Sequence, residues 1–167
     1  NRDDLIADLT MAPVRRNRTG TVLRVYRLLM GQRPGPEALR AWEAEYRNGA
    51  RSEKIASGIL ASEAFRTMRG VLSDTQFLDV VYRNARGKAP TTSVQNYWLG
   101  QLAGGRSRAA VVAYFADSVA VREATWHELQ VMLAFRAGLD REPTDAEVTT
   151  WRRHLDQGGL LPEVVDA

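Results

Sequence analysis

One stretch of this chain comes back twice, and that recurrence limits the folds open to it more than any other feature. Tyr26 to Trp42 reads Y-R-L-L-M-G-Q-R-P-G-P-E-A-L-R-A-W, and 56 residues later Tyr82 to Trp98 reads Y-R-N-A-R-G-K-A-P-T-T-S-V-Q-N-Y-W. A third copy runs from Phe135 to Trp151, offset by 53. The first offset holds without a gap. It pairs Val25 with Val81, Gly31 with Gly87, Pro34 with Pro90, Gly49 with Gly105, Ile55 with Val111, Ile59 with Phe115 and Ser62 with Ser118. The second pairs Pro90 with Pro143, Leu102 with Leu155, Gly105 with Gly158 and Val111 with Val164. Self-similarity at a fixed period marks a chain of repeated supersecondary units, each burying its apolar face against a neighbour.

Within the unit the pattern is helical. Val22, Val25, Tyr26 and Leu29 share one face of a helix expected over about Thr21–Met30, with Gly31 as its stop. Pro36 suits the first position of the next helix, which carries Leu39, Trp42 and Tyr46 to about Asn48. A third helix, about Arg51–Met68, carries Ile55, Ile59, Leu60 and Phe65. Capping boxes are expected at Ser73 with Gln76, Thr92 with Gln95, Thr125 with Glu128 and Thr144 with Glu147. No segment alternates with period two, so the fold class is all-α, tandem three-helix repeats packed into one helical domain. Asn1 to Ala12, with Leu5, Ile6 and Leu9 in a stripe, resembles the last helix of a repeat. The expected organisation is therefore 1–20, the last helix of a preceding repeat plus a linker; 21–74, repeat one; 75–124, repeat two; and 125–167, the start of repeat three. The chain opens on Asn1 rather than Met and reads as a piece of a longer protein.

Composition narrows the chemistry. The 167 residues, 44% hydrophobic and 26% charged, suit a globular fold. No apolar run approaches the roughly 18 residues of a spanning helix, so no transmembrane segment is expected. With no Cys there are no disulfides, thiolate metal sites or cysteine nucleophiles. The net charge is +3 and the cations are scattered, Lys54 and Lys88 being the only lysines, so nucleic acid is not an expected partner. The cluster of Arg15, Arg16 and Arg18 decorates the expected linker, and three charges bind a polyanion weakly.

These repeats resemble the bacterial family called domain of unknown function 4214. The likeness rests on Tyr26-Arg27, Gly31, Pro34, Trp42, Gly49, Ser62-Glu63 and Phe65. In the second copy it rests on Tyr82-Arg83, Gly87, Pro90, Tyr97-Trp98, Gly105, Ser107-Arg108, Phe115 and Ser118. The chain departs from that pattern where the family's Asp after Pro is Gly35, Thr91 and Thr144. The resemblance implies a helical repeat module of secreted or surface-associated bacterial proteins, often beside calcium-binding or carbohydrate-active domains. The pattern also looks like that of phycobilisome linker domains, which are assembly modules. Neither resemblance brings a catalytic activity or a cofactor.

Candidate binding residues divide into aromatics and cations. The repeated Trp42, Trp98 and Trp151 are expected in the core, whereas Trp126, Tyr114 and Tyr46 fall outside the repeated aromatic positions and are candidate sugar-stacking platforms. Arg33, Lys88 and Arg141 precede the repeated Pro. They are expected to hold the turn to a helix, or alternatively to form a ladder of cations for an acidic glycan. Asp140, Glu142, Asp145 and Glu147 lack the spacing of a calcium loop and are expected as capping charges. His127 and His154 lack partners at metal spacing and are expected as solvated helix residues. No nucleophile motif or phosphate-cradling loop is present. The expectation is a non-enzymatic binding module of a bacterial surface or secreted protein, extracellular or at the cell surface, that recognises a polysaccharide or cell-surface glycan. The alternatives are a protein partner or self-association, or service as an accessory domain of a carbohydrate-active enzyme.

Overall fold

The structure is a computed structural model that describes residues 13–164, and every regular element among them is helical. The ten α-helices are α1 (Pro13–Met30), α2 (Pro36–Arg47), α3 (Ser52–Ala61), α4 (Glu63–Arg69), α5 (Asp74–Arg86), α6 (Thr92–Ala103), α7 (Arg108–Ala116), α8 (Val119–Ala124), α9 (Trp126–Gly138) and α10 (Asp145–Asp156), followed by a 3₁₀ turn, Leu161–Val164. The helix expected over Asn1–Ala12 lies outside the described residues. The chain divides into two compact units. One is residues 21–123; the other joins the residues up to 20 with those from 124 onward.

In the unit of residues 21–123, α3 and α7, the equivalent helices of repeats one and two, pack on each other. The residues matched by the 56 offset point inward together: Ile55 and Val111, Ile59 and Phe115, Val25 and Val81 are all buried. Helix ends are tied by side chains far away in sequence. The C-terminal carbonyls of α1 are met by Asn84 Nδ2, 2.9 Å from Leu28 O, and by Arg69 Nε, 3.1 Å from Leu29 O. Gly31 then leaves the helix at φ 76°. The last carbonyl of α7, Ala116 O, accepts from Arg24 Nε at 2.8 Å. Arg24 is buried; desolvation, assisted by nearby Arg122, pushes its guanidinium down to about 10, so it stays charged at neutral pH. Donors and cations at carbonyl ends satisfy orphan acceptors and complement the helix dipole.

Several expectations need correction. The third helix of repeat one is not one piece: it breaks at Ser62, whose backbone is extended, into α3 and α4. Ser62 Oγ donates to Ile59 O at 2.6 Å and accepts from Phe65 N at 3.1 Å, so one hydroxyl ends a helix and starts the next. Ser118 does the same between α7 and α8, donating to Phe115 O at 2.6 Å and accepting from Val121 N at 3.4 Å. Secondly, residues 13–20, expected as a linker, are the first turns of α1. Thr19 and Gly20 are buried, and Arg136 Nη1 donates to Thr19 Oγ1 at 3.3 Å. Tertiary packing overrides a weak local preference here.

The capping boxes form at Ser73 with Gln76 and at Thr144 with Glu147. The cap of α6 falls one residue before the expected Thr92, on Thr91, whose Oγ1 accepts from Val94 N at 3.3 Å. Thr125 precedes α9 without the extended backbone of a cap or a side-chain cap bond, and Glu128 is buried instead.

In the other unit, Val131, Ala134 and Phe135 of α9 meet Val148 and Leu155 of α10 and Val164 of the terminal turn, with Trp151 and Leu161 packed against them. Among the repeated tryptophans Trp98 is buried, whereas Trp42 and Trp151 are half-buried. The position of Gly31 and Gly87 is taken in the third copy by Asp140, which adopts a left-handed φ of 51°. His127 and His154 are not simply solvated: they meet the carboxylates of Asp156 and Glu163.

Candidate functional site

Adjacent residues on a helix point about 100° apart, so a pair of aromatic neighbours can send one ring inward and the other toward the surface. Repeat two holds two such pairs. On α6, Trp98 is 6% exposed and Tyr97 59%; on α7, Phe115 is 3% exposed and Tyr114 56%. The inward rings form a chain: Tyr82 to Phe115 at 5.9 Å, and Phe115 to Trp98 at 5.2 Å. Both outward tyrosines rest on the same indole. Tyr97 meets Trp98 edge-on at 5.2 Å, and Tyr114 meets it at 4.9 Å with a 60° tilt. Such contacts contribute roughly 0.5–1.5 kcal/mol each beyond area burial, and they fix where the two exposed rings stand.

Between these rings lies a shallow open groove of about 470 Å³, floored by Trp98 and Phe115 and walled by Tyr97, Tyr114 and Tyr82. Arg86, at the end of α5, and Ser93 and Val94, in the first turns of α6, complete its rim. On the other side of Tyr114 a second open cavity of about 480 Å³ is lined by Arg106, Ala110, Ala113, Asp117 and Ser118. The Arg106 guanidinium stands 5.9 Å from the Trp98 ring centroid. Asp117 is already engaged, by Ser52 Oγ at 2.9 Å and by Arg122 at 3.8 Å.

Of the expected platforms, only Tyr114 belongs to this surface. Tyr46 is half-buried with the Arg51 guanidinium 4.5 Å over its ring, and Trp126, in the other unit, is half-buried with Arg16 at 5.9 Å. Among the cations, Arg141 is held in a two-pronged pair with Glu147, Nη1 to Oε2 at 2.9 Å and Nη2 to Oε1 at 2.6 Å, while its guanidinium lies 4.9 Å over Phe135. That pair, with the Thr144 backbone N–H, pulls Glu147 down to about 2. Arg136, after the repeated aromatic, pairs with Glu142 in the same turn. These contacts hold a turn to its helices. Arg33 is half-buried and engaged. Lys88 is exposed, without an ion pair among the described residues. The acidic run around Glu142 and Glu147 is thus spent on arginines and caps, and among the described residues no group of three His, Asp or Glu is arranged to hold a metal ion.

Sequence reasoning missed Tyr97, Arg86 and Arg106. The available signal for Tyr97 was its adjacency to the repeated Trp98: with that ring inward, its neighbour lies about 100° around the helix, toward the edge of the buried face.

Comparison with known proteins adds one finding. Residues 56–125 match the family described as Domain of unknown function (DUF4214). That segment is similar to this family. No curated protein and no solved structure matches the chain. The matched segment contains every aromatic ring of the groove, together with Arg86 and Arg106. Among the described residues no helix is long and apolar enough to cross a membrane.

Proposed function

We propose that the chain is a non-enzymatic carbohydrate-binding module, with the Tyr97–Trp98–Tyr114 surface as its sugar site and a bacterial cell-surface or secreted protein as its setting. The observation that carries this reading is the pair of tyrosines, each more than half exposed and each braced on one buried indole beside an open groove. A sugar offers a ring of C–H groups that stacks on an aromatic face and hydroxyls that bond to a polar rim. Tyr97 and Tyr114 supply the faces, and Ser93, Arg86 and the phenol hydroxyls supply the rim. Bracing lowers the entropy lost when the rings are held against a ligand. The family resemblance to modules found beside carbohydrate-active domains supports the same reading.

The test is binding of the chain to an array of polysaccharides, with Tyr97→Ala, Tyr114→Ala and Trp126→Ala alongside. Saturable binding that is lost in either tyrosine variant, with far-UV circular dichroism unchanged and Trp126→Ala unaffected, is the expected result. Binding to no glycan, together with concentration-dependent association in light scattering, would favour an assembly module instead.

A further inference from the structure

The groove of repeat two can be compared, position by position, with the same face of repeat one. Scaffold residues are kept: Tyr26 and Tyr82, Gly31 and Gly87, Pro34 and Pro90, Trp42 and Trp98. The groove residues are not. At the same offset of 56, Tyr97 corresponds to Ala41, Tyr114 to Gly58, Arg86 to Met30 and Arg106 to Ala50. Repeat one closes this face: Met30 and Ala50 are buried, and the Trp42 ring lies directly over Gly58. In the third copy the positions of Arg86, Tyr97 and Arg106 are Leu139, Thr150 and Gly159. The open aromatic face and its two cations therefore occur together, in repeat two only.

Those cations are not consumed by the fold. Arg86 and Arg106 are both exposed, and neither guanidinium makes an ion pair or hydrogen bond among the described residues, in contrast to Arg83, Arg108, Arg136 and Arg141. Arg86 stands on the rim beside Tyr97, and Arg106 stands on the far side of Tyr114, so the exposed rings lie between two unspent positive charges. The one carboxylate lining either cavity, Asp117, accepts from Ser52 and stands 3.8 Å from Arg122.

Resting on the carbohydrate reading above, we propose that the ligand is an acidic saccharide. Its sugar rings stack on Tyr97 and Tyr114, and its carboxylate or other anionic substituents pair with Arg86 and Arg106. Charge complementarity selects this class over neutral glycans, since a guanidinium fork matches a carboxylate and is underused by a hydroxyl. Two cations are too few for the continuous basic track that single-stranded nucleic acid requires alongside its stacking platforms.

The experiment is isothermal titration of the chain with polygalacturonate and alginate. Each is compared with its carboxyl-esterified form, which keeps the sugar rings and removes the charge. Wild type, the double variant Arg86→Gln/Arg106→Gln and Tyr114→Ala are measured at low and high salt, with circular dichroism confirming that each is folded. Binding to the acidic polymers should exceed binding to the esterified forms by about tenfold, the scale of two half-exposed charge-assisted pairs. The arginine variant and high salt should each abolish that preference, and Tyr114→Ala should lose binding to both forms. Equal affinity for charged and esterified polymers, lost in Tyr114→Ala, would overturn the acidic ligand while leaving the saccharide reading intact. Absence of binding to these polymers and to every neutral glycan would remove both. Binding to a single-stranded oligonucleotide or an acidic peptide in their place would also refute the proposal.

Discussion

Gly58 gives the strictest test of how the two repeats differ. It sits inside α3, where alanine should be better by about 1 kcal/mol. A Cβ there would lie 2.6 Å from Trp42 Cη2 and 2.7 Å from Cζ3. Carbon atoms settle at about 3.5–4.0 Å, so the indole would have to retreat by about 1 Å. Overpacking of this kind costs typically about 1–3 kcal/mol, and after the helical gain the net loss for Gly58→Ala is about 1 kcal/mol. In a Trp42→Phe background the clashing outer ring is gone, and the same substitution should become stabilising by about 1 kcal/mol. The four proteins, unfolded in urea and followed by far-UV circular dichroism, should give a coupling of about 2 kcal/mol between the two sites, with a change of sign. If Gly58→Ala stabilises both backgrounds equally, the indole does not lie fixed over this glycine, and the account of why repeat one lacks a groove fails.

Three further outcomes follow from the geometry. Asp140→Gly, at a left-handed φ of 51°, should raise stability by about 0.5 kcal/mol and Asp140→Val should lower it by about 1–2 kcal/mol, read from thermal unfolding. Ser62→Ala and Ser118→Ala should each cost about 1 kcal/mol in urea unfolding, and equally, because both serines end one helix and cap the next. Glu147 sits at about 2 in the fold against an ordinary 4.5, chiefly through the Arg141 guanidinium. Its charge therefore stabilises above pH 4.5 and ceases to as pH falls toward 2. Glu147→Gln keeps the capping acceptor and loses the charge, so the stability gap between wild type and variant should be full at neutral pH and shrink across that window; a gap that widens on acidification would refute the pairing.

The helices were legible because their signals are local. Ser73 with Gln76 and Thr144 with Glu147 cap where a side chain three residues on can answer them, and Gly31, Gly87 and Gly105 turn out of helices at positive φ. The break at Ser62 was less legible because serine is tolerated within a helix, and only the extended backbone shows that its hydroxyl serves both sides. The extension of α1 back to Pro13 was hidden for the opposite reason: arginines and glycine look like a linker until Thr19 and Gly20 are buried. At the site, Tyr114 stood out because no aromatic precedes it at the repeat offset. Tyr97 did not, because it reads only as part of the Tyr97-Trp98 repeat motif. Arg86 and Arg106 carried no signal in a chain where other arginines are spent on carboxylates and carbonyls, since only geometry separates the engaged from the open.

A repeat that ends a stack needs a polar outer face, and that requirement alone would explain why Arg86 and Arg106 are exposed where Met30 and Ala50 are buried. It does not explain the rings. Any polar side chain keeps such a face soluble, and alanine and glycine at the same positions of repeat one fold into the same helices. An exposed tyrosine removes less apolar surface from water than its inward neighbour, so Trp98 and Phe115 are accounted for by folding while Tyr97 and Tyr114 are not. Scattered exposed aromatics are ordinary, but two resting on one buried indole, between two unpaired guanidiniums, form a contiguous feature that stability does not require. Stability and ligand binding should therefore separate at these positions. In Tyr97→Ala and Tyr114→Ala the urea midpoint should move little while glycan binding disappears, whereas Trp98→Ala, which removes the floor beneath both rings, should damage the fold as well.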